Sequence, residues 1–314
     1  MQKTFKQISF IILGTVLMLG FWLLRPHIVN KTIDIYGLNK EEAINKLSRN
    51  GIVNKYILEA LLYITNAHIK YGEYRFKGIV SPLEVYRKLT RGEFLLHEIT
   101  IPEGFDIYDI ANRLQKNGIC SKKAFLKYAQ DKSYAKALGI NSNGFEGYLF
   151  PDTYFFYKHE NPKYIIYSMY KAFKETMKKN HLNPTKDQII IASIVEKEAK
   201  YLKDKPLVAS VIYNRLKKDM PLQMDSTVIY ALKIEGKWNG TLTKKDLSIK
   251  SPYNTYLVKG LPPTPICNPG INSIKSAIYP AKSNYLYFVS DKSGNLYFNR
   301  SLKNHIKAVK KVEG

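Results

Sequence analysis

Thr185-Lys-Asp-Gln-Ile-Ile-Ile-Ala-Ser-Ile-Val-Glu-Lys-Glu-Ala199 is the stretch on which the fold turns. Thr185 with Gln188 three residues later forms a capping box, so the spacing predicts a helix that starts here and runs to about Leu202. Its apolar residues continue nearly all the way round, which marks a buried core helix. Two carboxylates interrupt it. At roughly 100° per residue, Glu196 shares a face with Ile189, Ala192, Ser193 and Ala199, whereas Glu198 lies near Ile191, Ile194 and Leu202. Both have apolar neighbours, and periodicity does not choose between them. The small Ala192 and Ala199 would leave room for a ligand at the tip of Glu196. A carboxyl against apolar walls loses hydration in its charged form, so its pKa rises and it can hand a proton to a glycosidic oxygen. The plainer alternative is an i,i+4 pair of Glu196 with Lys200 on a solvated face, worth a few tenths of a kcal/mol.

Working outward, Glu146-Gly-Tyr-Leu-Phe-Pro-Asp-Thr-Tyr154 precedes a Lys- and Tyr-rich helix over 162–179. Downstream, a helix over about 206–218 carries Asn214 and Arg215. Leu222-Gln-Met-Asp-Ser-Thr227, Ser251-Pro-Tyr-Asn-Thr-Tyr256 and the loop Gly260-Leu-Pro-Pro263 follow. Tyr285-Leu-Tyr-Phe-Val289 and Leu296-Tyr-Phe-Asn299 flank Asp291-Lys-Ser-Gly294, which predicts a β-hairpin. Helices with separate hairpin strands make the class α+β. Gln223, Tyr253, Asn254 and Tyr256 supply the neutral donors, acceptors and stacking faces that a sugar cleft needs.

Ahead of this region one stretch occurs twice: Ile44-Asn-Lys-Leu-Ser-Arg-Asn-Gly-Ile52 and Ala111-Asn-Arg-Leu-Gln-Lys-Asn-Gly-Ile119. Each reads as an amphipathic helix stopped at Asn-Gly, where glycine takes the left-handed position cheaply. His97-Glu-Ile-Thr-Ile-Pro102 alternates as a strand before the second copy. These features predict a pair of small α/β modules over 31–140, serving as spacers or binding glycan. Residues 7–24 (QISFIILGTVLMLGFWLL) carry no charge between Lys6 and Arg25. Eighteen helical residues span about 27 Å, close to the ~30 Å hydrocarbon core. No small-x-small cleavage site follows, so residues 1–30 are expected to be a short tail and a single membrane anchor, with the body on the outer face. Residues 141–314 are the expected catalytic domain.

Lys plus Arg number 49 against 26 Asp plus Glu, a net +23, which reads equally as a polyanion-binding surface or as a solvated Lys-rich one. Behind an anchor, nucleic acid is excluded and the cell wall and lipid remain. Cys120 and Cys267 cannot build a disulfide framework or a zinc ribbon, the six histidines are scattered, and no Gly-rich phosphate loop occurs. No cofactor or metal is therefore expected.

Ala192-Ser-Ile-Val-Glu-Lys-Glu198, Asn214-Arg-Leu216, Leu222-Gln-Met-Asp225, Tyr253-Asn-Thr-Tyr256, Gly260-Leu-Pro-Pro263, the Glu146–Tyr154 stretch and Tyr285–Val289 together resemble the ordered motifs of endolytic murein transglycosylases, the YceG-like family. The resemblance covers most of the chain and implies LysM-like modules at the repeat. It also implies a cytoplasmic-membrane enzyme that cleaves nascent peptidoglycan strands near the peptidoglycan synthases, terminating their elongation. By the same resemblance Glu196 is the catalytic acid, and Gln223, Tyr253 and Asn254 bind substrate. Asn214 and Tyr256 belong to the same motifs, and Glu146, Asp152 and Asp225 are candidates for orienting or second-carboxylate roles. Thr264, Ser226 and Cys267 depart from the family pattern, which commonly has Gly, Pro and a small residue there.

A glycosidase that hydrolyses normally needs two carboxylates. A lytic enzyme manages with one, because the muramyl 6-hydroxyl is a tethered nucleophile and closes a 1,6-anhydro ring. The rivals are a muramidase using Asp225 or Glu146 as second acid, and a catalytically silent, membrane-anchored glycan-binding scaffold.

Overall fold

The computed structural model describes residues 11, 13–21 and 25–313. These fall into two compact units. One takes the described residues up to His97 together with Phe155–His159, and the other takes Glu98–Tyr154 and the residues from Glu160 on. Along the chain these units meet first at His97 and Glu98. Of the expected anchor at 7–24, residues 7–10, 12 and 22–24 lie outside the described residues. No helix among the described residues is long and apolar enough to cross a membrane.

In the first unit, β1 (His27–Asp34) pairs antiparallel with β2 (Glu73–Val80), His27 opposite Val80 and Asp34 opposite Glu73. Helices α1 (Lys40–Arg49) and α2 (Lys55–Ile64) lie between them in sequence, and α3 (Pro82–Arg91) follows. Tyr74 and Phe76 of β2 point into a core with Ile35, Leu47, Leu58 and Leu89, while Arg75 and Lys77 face outward, the period-two alternation of a half-buried strand. Neither strand of this pair was read from the sequence.

In the second unit, α4 (Ile107–Lys116), α5 (Lys122–Ala129), α6 (Lys132–Ala137) and α7 (Pro162–Lys179) precede the central helix α8 (Lys186–Glu198). Strands β3 (Leu96–Thr100) and β4 (Thr153–Tyr157) pair with each other. After α8 come α9 (Lys205–Lys217), α10 (Asp225–Ile234), α11 (Ile271–Ile278), the antiparallel strands β5 (Tyr287–Ser290) and β6 (Leu296–Asn299), and α12 (Leu302–Glu313). The α+β class is therefore borne out.

The sequence repeat proves to be one helical device used once in each unit. A capping box starts both helices (Asn39 with Glu42, Asp106 with Asp109), and Gly51 and Gly118 follow them at φ 67° and 70°. Helix α8 carries the expected Thr185–Gln188 box, and Ile189 to Val195 are all buried against α9, α10 and α11. It ends four residues sooner than its apolar pattern suggested. Ala199 is already extended, and Leu202 is 63% exposed. Glu198 is consequently the last helical residue, standing at the helix mouth.

Candidate active site

The space that small side chains were expected to leave beside Glu196 is filled by protein. Ala192, Ser193 and Ala199 are buried, and Ser193 Oγ accepts the Ile266 amide at 3.0 Å. Glu196 itself has both oxygens engaged. Oε1 accepts Lys205 Nζ at 2.9 Å, and Oε2 accepts the Gly270 amide at 3.0 Å and Ser273 Oγ at 2.6 Å. Those last two donors belong to the N-terminal turn of α11, where unpaired amides and the helix dipole favour a carboxylate. With side chains only 4% and 8% exposed, Lys205 and Glu196 form a buried ion pair.

Two residues on, the environment differs. Glu198 lines a cleft of about 420 Å³ together with Arg215, Gln223, Met224, Asp225, Tyr256 and, from the hairpin and α12, Tyr287, Phe288 and His305. Glu196 is not among the lining residues. Glu198 faces the first turn of α10, and Ser226 donates to Oε1 from Oγ at 2.6 Å. Burial raises the Glu198 pKa above the ordinary carboxyl value, with Asp225 adding to the rise and the Ser226 hydrogen bond opposing it. Ser226, a departure from the family pattern, thus touches a carboxyl that is both dehydrated and open to the cleft.

The other predicted residues separate into two groups. Gln223, Asp225 and Tyr256 join Glu198. Tyr256 donates to Asp225 Oδ1 at 2.6 Å, and burial beside Asp225 raises the phenol's pKa, which keeps it a donor. Gln223 adopts φ 53°, unusual for a side chain with a Cβ. Its amide carbonyl receives Arg215 Nη1 at 3.3 Å, and Arg215 also binds the Leu286, Pro221 and Leu222 carbonyls. Asn214 and Asn254 lie elsewhere and do structural work: Asn214 ties the Ser283 and Tyr285 carbonyls, and Asn254 ties those of Leu247 and Ile249.

Glu146 and Tyr253 line a separate cavity of about 250 Å³ with Tyr108 and Tyr230. Glu146 is 4% exposed and accepts from the Ile107 amide, Tyr230 Oη and Asn268 Nδ2 at 2.9–3.0 Å. Burial lifts its pKa well above the usual range, with Asp106 adding to it. This carboxyl joins α4, α10 and the 268 loop. Tyr253 Oη pairs with Thr264 Oγ1 at 2.7 Å, so a second departure from the family pattern also has a contact. Asp152 accepts the Thr153 amide at 2.7 Å, the turn role weighed for it from sequence.

Sequence reasoning missed Arg215, Tyr287 and His305 as cleft residues. Arg215 was within reach, adjacent to the chosen Asn214, but only the tertiary fold turns its guanidinium towards Gln223.

The YceG-like family matches residues 36–311, nearly the whole described chain. The chain belongs to the YceG-like family. A protein of Bacillus subtilis (strain 168) named endolytic murein transglycosylase is 38% identical over 250 residues, covering 72% of this chain and 68% of its own length. A protein of the same name from Streptococcus pneumoniae serotype 2 is 30% identical over 310 residues, 86% of this chain and 56% of the relative. This YceG-like chain therefore spans little more than half of the pneumococcal protein. The crystal structure of a yceG-like protein from Listeria monocytogenes superimposes with a TM-score of 0.57 at 32% identity, over 90% of this chain and all of that one.

Proposed function

We propose that this chain is an endolytic murein transglycosylase, cleaving the β-1,4 bond between N-acetylmuramic acid and N-acetylglucosamine with formation of a 1,6-anhydro end. Family membership and the names of the relatives support the reaction class. The observation that carries the chemistry is Glu198, a carboxyl with raised pKa in a groove lined by Arg215, Gln223, Asp225 and Tyr256. Glu198 replaces Glu196 as the proposed acid, because Glu196 is already committed to Lys205 and the α11 terminus.

Protonated Glu198 delivers its proton to the oxygen leaving muramyl C1, and the C1–O bond breaks. The resulting carboxylate then takes the proton of the C6 hydroxyl as that oxygen bonds to C1. The acid is regenerated, and no water is consumed. Positioning of the strand by Gln223, Asp225 and Tyr256 supplies the orientation on which an intramolecular attack depends. Asp225 also keeps the hydrolytic alternative alive, since it is a second carboxylate in the same cleft. Incubating the full chain with purified uncross-linked peptidoglycan and weighing the fragments separates the two. Anhydro-muramyl ends are expected, and reducing ends one water heavier would assign a muramidase.

The uncharged run at 7–24 supports a single-pass anchor in the cytoplasmic membrane with the body on its outer face. Residues 31–140, with their repeated capped helix, are proposed as LysM-like modules. From that position nascent glycan strands are the substrate and peptidoglycan synthases the proposed neighbours. Carbonate extraction of membranes carrying the native chain tests the anchor, which requires the protein to stay in the pellet.

A further inference from the structure

The cleft has a wall that the motifs did not foreshadow. His305, on α12, lines it with its ring stacked on Tyr287, centroids 5.3 Å apart and planes within 22°. Tyr287 in turn carries the Arg215 guanidinium, 5.1 Å from its centroid. Arg215 is 7% exposed and anchored by the Leu286, Pro221 and Leu222 carbonyls, so the column Arg215–Tyr287–His305 fixes the plane of the imidazole. The same guanidinium donates to the side-chain carbonyl of Gln223, another residue of the cleft lining.

Within the imidazole the two nitrogens are unequal. Nδ1 is buried and has no hydrogen-bond partner among the described residues. A buried N–H without an acceptor loses its hydration in full, whereas an unpaired lone pair is tolerated more often. The proton therefore belongs on Nε2. Burial and the nearby Arg215 both lower the His305 pKa, which keeps the ring neutral. The wall thus presents one uncharged N–H donor, held in orientation by a stacked column and used by no other residue described.

We propose that His305 is a substrate-contacting residue whose Nε2–H donates to the acetamido carbonyl of a sugar ring lying in the cleft. The proposal rests on the murein reading above. A neutral donor suits a neutral acceptor, and on the sugar rings of a murein strand the acetamido carbonyl is the strongest uncharged acceptor. A carboxylate-bearing substituent would instead favour a cation at this place.

Binding of uncross-linked murein glycan to the full chain carrying Glu198→Gln tests this without turnover. Adding His305→Phe, which keeps an aromatic ring on Tyr287, is expected to weaken binding by about three- to ten-fold, the factor of one neutral hydrogen bond. His305→Gln should recover part of the loss. With the same glycan de-N-acetylated, His305→Phe should cost nothing further. His305→Ala carries the same expectation if the phenylalanine variant does not fold. Equal losses on both glycans, or no loss on either, would overturn the proposal. In the active protein, His305→Phe should lower kcat/KM while leaving the pH profile's shape intact, since His305 transfers no proton. Loss of a limb from that profile would equally refute it. Absence of anhydro ends from the unsubstituted protein would strike the murein reading instead, and the binding comparison would still decide the role of His305.

Discussion

Exchanging each carboxylate of the Glu-Lys-Glu run for its amide should give opposite outcomes. Glu196→Gln leaves Lys205, 4% exposed, facing an uncharged amide. Breaking a buried ion pair from one side costs about 3–5 kcal/mol, because the remaining charge is stranded away from water. Glu103 lies 3.9 Å from the same ammonium and takes over part of the pairing, which places the loss near the lower end, about 3 kcal/mol. For a unit of this size each kcal/mol is worth about 2–4 °C, so the melting temperature should fall by about 6–12 °C. At 25 °C the folded fraction remains high, and kcat/KM should change only a few-fold. Glu198→Gln removes the proton donor and should cost about 10²–10⁴ in kcat, with little or no loss of stability. Calorimetry and anhydro-end counting on the two variants suffice. A stable, inactive Glu196→Gln beside an active Glu198→Gln would refute the assignment of the acid to Glu198.

Other outcomes follow from the same contacts. The reaction needs Glu198 protonated, so its rate should fall as pH rises through that group's elevated pKa. Because the folded value exceeds the unfolded one, Glu198 favours folding only at pH below its unfolded pKa, and that benefit is lost as pH climbs through the folded value. Glu198→Gln should therefore melt above the unsubstituted protein at pH 8, with the gap closing by pH 4. Ser226→Ala deletes a hydrogen bond that favours the charged carboxyl, so the alkaline limb of the pH–rate profile should move upward. Glu146→Gln places an amide NH₂ among three donors and should lower stability by about 1–3 kcal/mol in a denaturant titration, while murein cleavage persists.

What could be read from sequence was local and periodic. The α8 capping box, the paired Asn-Gly helix stops and the C-terminal hairpin all rest on chemistry within a few residues, and each formed where expected. The acid was less legible. Glu196 and Glu198 both border apolar neighbours on a helical wheel, and only the arrival of α11 at one and α10 at the other distinguishes a sealed carboxyl from one open to a groove. Gln223, Asp225 and Tyr256 were found through their polar and aromatic chemistry and the motifs they belong to, although the fold alone brings Tyr256 to Asp225 across 31 residues. Asn214, Asn254, Tyr253 and Glu146 carry the same polar chemistry and serve as carbonyl ties and buried junctions. Residue type alone does not separate those uses.

Residues 287–305 supply one side of the groove that holds Glu198. A polypeptide made amino end first therefore carries its acid, with Gln223, Asp225 and Tyr256, before the hairpin side that completes the cleft, which begins about ninety residues after Glu198. The groove around Glu198 is thus a late product of the chain, complete only when its last strands and helix have folded onto the residues before them.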